Sequence, residues 1–144
     1  MAENPWARLD RTIEALGVAV DPAFGPRART FLTELAAWNR VARLTGYRSL
    51  DDRIDHLLIE SLLLLRVMPD PASPIIDIGT GAGVPGLILQ LARPAWTVWF
   101  VEVNRRRANF VRHALRTLGL DPDAVHQDRA ERLGAGLLRG RART

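Results

Sequence analysis

The chain has no cysteine and no lysine. The first absence excludes disulfides and thiolate chemistry and suits a reducing cytoplasm, the compartment expected for this protein. The second makes all 20 basic residues arginine, within a formal net charge of +4. Long apolar runs are also missing. The longest, Leu57 to Leu65, is broken by Glu60 and Ser61 and is too short to span a bilayer. The polar start at Glu3 and Asn4 has no signal-peptide pattern, so no membrane association is expected. No internal repeat or low-complexity segment is present. A chain of 144 residues has room for one ordinary core, or for a small helical region and a sheet.

Charge is unevenly spread. Residues 105–143 hold ten arginines against four acids, Asp121, Asp123, Asp128 and Glu131. Such a one-sided stretch is an electrostatic footprint for nucleic acid. Charge alone fits a solvated helix face with a basic tail equally well.

Apolar spacing organises the first half into helices. Trp6, Leu9, Ile13 and Leu16 recur at steps of three and four and predict an amphipathic helix over 6–16. Prolines and glycines between Gly17 and Pro26 mark a turn. A second helix is expected from about Pro26 to Leu44, with Phe31, Leu32, Leu35, Trp38 and Val41 on its apolar face and Gly46 beyond it. Ser49, with an acid three residues on, caps a third helix that turns Ile54, Leu57, Leu58, Leu62 and Leu65 inward and ends before Pro69.

After the prolines of 69–74 the pattern becomes strand, turn, helix. Strands are expected at Pro74–Ile78, Trp96–Val103 and, more weakly, Asp123–Gln127. Helices are expected from Val84 to Leu91, with Pro85 in its first turn, and from an Asn104 cap to about Leu118, which Gly119 ends. The fold class is therefore α/β: an N-terminal helical region over residues 1–72, then over 73–144 the first half of a doubly wound parallel sheet of Rossmann-like kind. The first strand of such a sheet is normally central, yet one of its edges finds no partner in this sequence. The chain is accordingly expected to be C-terminally truncated.

Residues Ile75 to Gly86 carry the chemistry. An acid, Asp77, lies near the end of an apolar strand, and Gly79, Gly81 and Gly83 follow at alternate positions. Glycines there let the turn take positive φ and let a ligand lie against the backbone. Gly81, Gly83 and Gly86 also spell G-x-G-x-x-G, so a dinucleotide and S-adenosylmethionine both meet the strand–turn–helix condition. Asp77 discriminates. A carboxylate sits badly beside a pyrophosphate that needs the positive helix end. It suits the ammonium and sulfonium of S-adenosylmethionine, which is the favoured reading. Glu102, at the end of the second strand, is placed to accept from two ribose hydroxyls and fits either ligand. The loop after the third strand, Asp128 to Glu131, can reach an adenine edge, although its composition is also that of a plain helix start.

Several of these stretches resemble the bacterial ribosomal small subunit methyltransferase G family, also called glucose-inhibited division protein B. Asp77-Ile-Gly-Thr-Gly-Ala-Gly-Val-Pro-Gly86 is close to its signature loop. Trp38-Asn39 with Leu44-Thr45 resembles its Trp-Asn…Leu-Thr helix end. His56 with Glu60-Ser61 resembles its His…Asp-Ser helix, with the spacing one residue longer and Glu in place of Asp. Glu102, Arg106-Arg107 and Phe110 match its acid, Lys-Arg and Phe-Leu pattern, and Arg129-Ala-Glu131 its Arg-x-Glu step. The family's later strands and a Ser-Arg-Ala segment have no counterpart.

The resemblance implies an S-adenosylmethionine-dependent methyltransferase fold acting on guanine N7 of 16S ribosomal RNA, as RNA or in the small ribosomal subunit. It implies cofactor contacts from Asp77, Gly79, Thr80, Gly81, Gly83, Val84 and Glu102, with Ala130 and Glu131 near the adenine. Asn39, His56, Arg106, Arg107 and Arg129 become candidates for the RNA side. Arg105 to Arg107 at a helix start oppose the helix dipole, which invites an anionic partner. No catalytic base and no metal are expected. A truncated remnant that binds nucleoside or RNA without turnover is the alternative, and an NAD-dependent oxidoreductase a third. As a truncated chain it is expected to bind cofactor weakly and to methylate poorly.

Overall fold

The computed structural model describes residues 3–135. Helix α1 spans Pro5–Leu16; Asn4 caps it by accepting from the Trp6 amide, and Gly17 ends it in the left-handed region at φ 67°. Helix α2 spans Phe24–Ala42, two residues earlier at each end than the spacing predicts. One residue of its expected apolar face is corrected: Val41 is 79% exposed, because α2 stops at Ala42 and its last turn lies beyond the core.

The third helical stretch, α3 over residues 50–66, begins as predicted, with the Ser49 hydroxyl accepting from the Asp52 amide. Ile54, Leu57, Leu58, Leu62 and Leu65 are all buried. The spacing did not reveal a wider segment inside it. After Leu50–Arg53 the helix is π-type over Ile54–Ile59, and the Glu60 amide donates to Asp55 O, five residues back. It returns to α at Glu60–Leu63 and tightens to 3₁₀ at Leu64–Arg66.

Three parallel strands follow, β1 at Ile75–Ile78, β2 at Val98–Val101 and β3 at Val125–His126. Their order is β1-β2-β3, with Ile75 opposite Val98, Ile78 opposite Val101 and Phe100 opposite Val125. Strand β2 is thus central, and β1 has a strand on one side only among the described residues. The crossover helices are α4 at Gly86–Ala92 and α5 at Arg105–Thr117; a short α6, Ala130–Ala135, follows β3. The expected second strand was too long by two residues at each end. Trp96 is buried without being a strand residue, and Val103 is 63% exposed beyond the strand end. The third is reduced to two residues because a 3₁₀ turn, Pro122–Ala124, takes its start.

One core joins the helical region to the sheet. Leu9, Phe31, Leu35, Leu58 and Leu62 belong to the same buried cluster as Leu87, Phe100, Phe110 and Leu115. Helix α2 packs against both α4 and α5. The result is an α/β structure with helices against a parallel sheet, the first half of a Rossmann-like doubly wound arrangement, and its strand ends carry the glycine turn.

Candidate functional site

The turn between β1 and α4 is anchored from three directions. The amides of Gly79 and Thr80 both donate to Val101 O at the end of β2, at 2.8 and 3.2 Å. Gly81 N donates to Glu102 Oε1 at 2.9 Å. Gly86 N, the first residue of α4, donates to Asp77 Oδ2 at 2.9 Å, and the buried Thr80 hydroxyl donates to the same oxygen at 2.6 Å. Gly83 and Val84 donate to Thr80 O. Six backbone donors of the turn are therefore used within the protein.

That inward arrangement has a chemical consequence. A loop that grips a diphosphate presents its amides and a helix N-terminus to the anion. Here the amides point at protein acceptors, and a carboxylate already occupies the start of α4. Gly79 and Gly81 take φ of 67° and 61°, and a Cβ at either would meet nothing within 4 Å, so their backbone faces open space. Gly86 is the opposite: a Cβ there would lie 2.7 Å from Asp77 Oδ2 and 2.9 Å from Phe100. It is needed for helix–strand contact.

The two acids differ. Glu102 is buried, with Oε1 on Gly81 N and Oε2 on Asn104 N at 2.8 Å. Each of its oxygens keeps further acceptor capacity. Asp77 lies beneath the turn, and burial pushes its carboxyl above the ordinary range; the bonds from Thr80 and Gly86 work against that rise, and the nearby Glu102 charge adds to it.

A cavity of about 440 Å³ opens over the strand ends, lined by Ile78, Gly79, Val101, Glu102, Val103, Asp128, Arg129, Ala130 and Glu131. It collects Gly79, Glu102, Ala130, Glu131 and Arg129 of the sequence-predicted residues. Exposed Ile78 and Val103 give it apolar walls; Asp77, Thr80, Gly81, Gly83 and Val84 shape the turn without lining the cavity. Apolar walls, the buried Glu102 carboxylate, the charged residues Asp128, Arg129 and Glu131, and open glycine backbone thus meet at one opening.

A sequence profile described as rRNA small subunit methyltransferase G matches residues 26–137. The chain belongs to this family. It is similar to the ribosomal RNA small subunit methyltransferase G of Halorhodospira halophila, 36% identical over 132 residues, which cover 92% of this chain and 62% of that protein. The Desulfotalea psychrophila protein of the same name is 36% identical over 91% of this chain and 60% of its own length. That of Nitrosomonas europaea is 36% identical over 74% and 49%. The chain thus spans about three fifths of the length of the first two relatives. No helix among the described residues is long and apolar enough to cross a membrane.

The two helical stretches that resemble family motifs meet in space. Asn39 Oδ1 accepts from Leu44 N and Thr45 N, at 2.6 and 2.9 Å, and so folds the chain back after α2. The Thr45 hydroxyl then accepts from Tyr47 N, and the Tyr47 ring stacks on His56 with centroids 4.4 Å apart. His56 Nδ1 lies 2.9 Å from Glu60 Oε1, and this bond, with the nearby acids, raises the imidazole above its ordinary value. Tyr47 was missed in the sequence; its signal was that the only tyrosine of the chain falls between the two motifs. Arg106 and Arg107 are exposed at the start of α5, away from the cavity lining.

Proposed function

We propose that this chain is the cofactor-binding part of an S-adenosylmethionine-dependent methyltransferase that modifies guanine N7 of 16S ribosomal RNA in the cytoplasm. The observation that carries the reading is the glycine turn whose amides face inward between two carboxylates. It disfavours a dinucleotide and suits a cationic nucleoside. The names of the relatives support the RNA substrate.

S-adenosylmethionine would supply an electrophilic methyl group on a sulfonium. Glu102 would accept from the ribose hydroxyls, Ala130 and Glu131 would border the adenine, and the backbone of Gly79, Gly81, Gly83 and Val84 would follow the ligand. Thr80 fixes Asp77, which would act on the methionine ammonium directly or through water. Guanine N7 has a lone pair and no proton, so no side chain has to act as a base. Catalysis reduces to holding N7 in line with the bond that breaks. Asp77 and Glu102 would supply negative charge beside the cationic ligand. Asn39, His56, Arg106, Arg107 and Arg129 are the proposed RNA-side residues, with phosphate contacts setting register.

Calorimetry with S-adenosylmethionine and with NAD tests the cofactor: binding of the first and none of the second is expected. Transfer of labelled methyl to small ribosomal subunits, followed by mapping of the modified base, tests the reaction. Binding of NAD in place of S-adenosylmethionine would defeat the reading.

A further inference from the structure

Away from the glycine turn, helices α1, α2 and the start of α3 enclose a groove of about 590 Å³. Trp6, Arg29, Arg40, Leu50 and Arg53 line it, with small residues of α2 as its floor, and no acid does. Arg29 and Arg40 are exposed and form no ion pair among the described residues. The nearby Asp51 and Asp55 are both taken by Arg8. Asp10 lines a neighbouring hollow that shares Trp6 and Arg29. The Arg29 guanidinium lies 4.7 Å over the Trp6 ring, which leaves a flat, cationic stack at one end. At the other end Arg53 donates to Tyr47 O at 2.8 Å, and Tyr47 carries the stack on His56.

Three arginines without a lining acid, with the Arg29–Trp6 stack in the groove and the Tyr47–His56 stack beyond it, reached through the Arg53 bond to Tyr47 O, form a surface complementary to a chain of phosphates with bases attached. We propose that this groove binds a single-stranded segment of RNA, with phosphates on Arg29, Arg40 and Arg53 and bases against Trp6 and Tyr47. This is the construction expected for a single strand: cations follow the backbone and ring faces accept bases of any sequence. Exposed Leu50 adds apolar contact. The inference rests on the RNA-directed reading above and adds Arg29, Arg40 and Arg53 to the RNA side proposed for Asn39 and His56, apart from the cavity over the strand ends.

The test is fluorescence polarisation of a labelled 12-nucleotide oligouridylate titrated with the full chain over a range of salt. The double variant Arg29→Gln, Arg40→Gln is expected to bind about tenfold more weakly at low salt. Its log K against log salt should flatten by about 1.4, about 0.7 for each lost phosphate contact. Arg66→Gln, an exposed change at the end of α3, should leave binding and slope unchanged. An unaltered melting temperature and unaltered S-adenosylmethionine calorimetry for the double variant separate the groove from the cofactor site. If the double variant binds like the parent, or a polyglutamate of equal charge competes as well as RNA, the proposal is overturned. Failure of cofactor binding in the parent would instead strike the proposed reaction and leave the groove result standing.

Discussion

Glu34 and His113 lie 79 positions apart, yet Glu34 Oε2 and His113 Nε2 are 2.7 Å from each other where α2 crosses α5. Trp38, one turn further along α2, stacks on the same imidazole at a centroid distance of 5.0 Å and meets Phe110 edge-on at 5.5 Å. The helical region is thereby fastened to the helix that follows β2. His113→Ala removes the hydrogen bond and the stack together and is expected to cost about 1–2 kcal/mol. A urea midpoint equal to that of the parent would show that this junction does not hold the two regions together.

Gly86→Ala is expected to be among the most damaging small changes. The added methyl would meet the Asp77 carboxylate and the Phe100 ring at sub-van der Waals distances inside a close-packed region. Overpacking of this kind costs about 1–3 kcal/mol. Gly79→Ala meets no atoms and should cost about 1–2 kcal/mol through its positive φ alone. Thermal melts of both variants check the order.

Glu102→Gln should destabilise the chain even without ligand. Its two oxygens accept from Gly81 N and Asn104 N, and an amide nitrogen in place of one oxygen would set donor against donor. The expected loss is about 1–3 kcal/mol. Denaturation without cofactor reads it. A neutral result would mean that the turn does not depend on this carboxylate.

Asp77→Asn keeps an oxygen to accept from Gly86 N and Thr80, so the fold should survive while affinity for a cationic ligand falls. The variant should also change the pH dependence of stability. The folded Asp77 carboxyl titrates above its ordinary value, so its contribution favours folding at low pH and is lost as pH rises from 3.8 through the raised value. In the variant that decline should vanish from urea titrations across the acid range.

His56 shows the same pH direction from a different cause, a charged form favoured by a partner. Its bond to Glu60 raises the imidazole above 6.5, so the pairing stabilises below 6.5 and is lost as pH climbs through the folded midpoint. Glu60→Gln should bring the midpoint, followed by NMR of the ring protons, back towards 6.5. An unchanged midpoint would separate His56 from Glu60 in solution.

Much of this was legible because it depends on local rules. The caps at Ser49 and Asn104 and the buried faces of α1 and α3 follow from side chains a few positions apart. The acid-and-glycine turn was readable because only a few backbone shapes join a strand to a helix through alternating glycines. The inward direction of the Gly79, Thr80 and Gly81 amides was not, since their acceptors, Val101 O and Glu102, come from the end of β2 and the residue after it, more than 20 positions away. The π segment escaped because its buried residues keep ordinary helical spacing while its hydrogen bonds lengthen. The arginine groove needed three helices to converge, and no single stretch of sequence announces it.

The carboxylate under α4 also decides what the site ignores. Cells are crowded with nucleoside di- and triphosphates, and a free helix start beside this cavity would attract their phosphates. By answering the Gly86 amide internally, Asp77 turns an anion receptor into a seat where polyphosphates find repulsion. On the proposed reading, discrimination against such competitors lies in the position of one buried carboxylate.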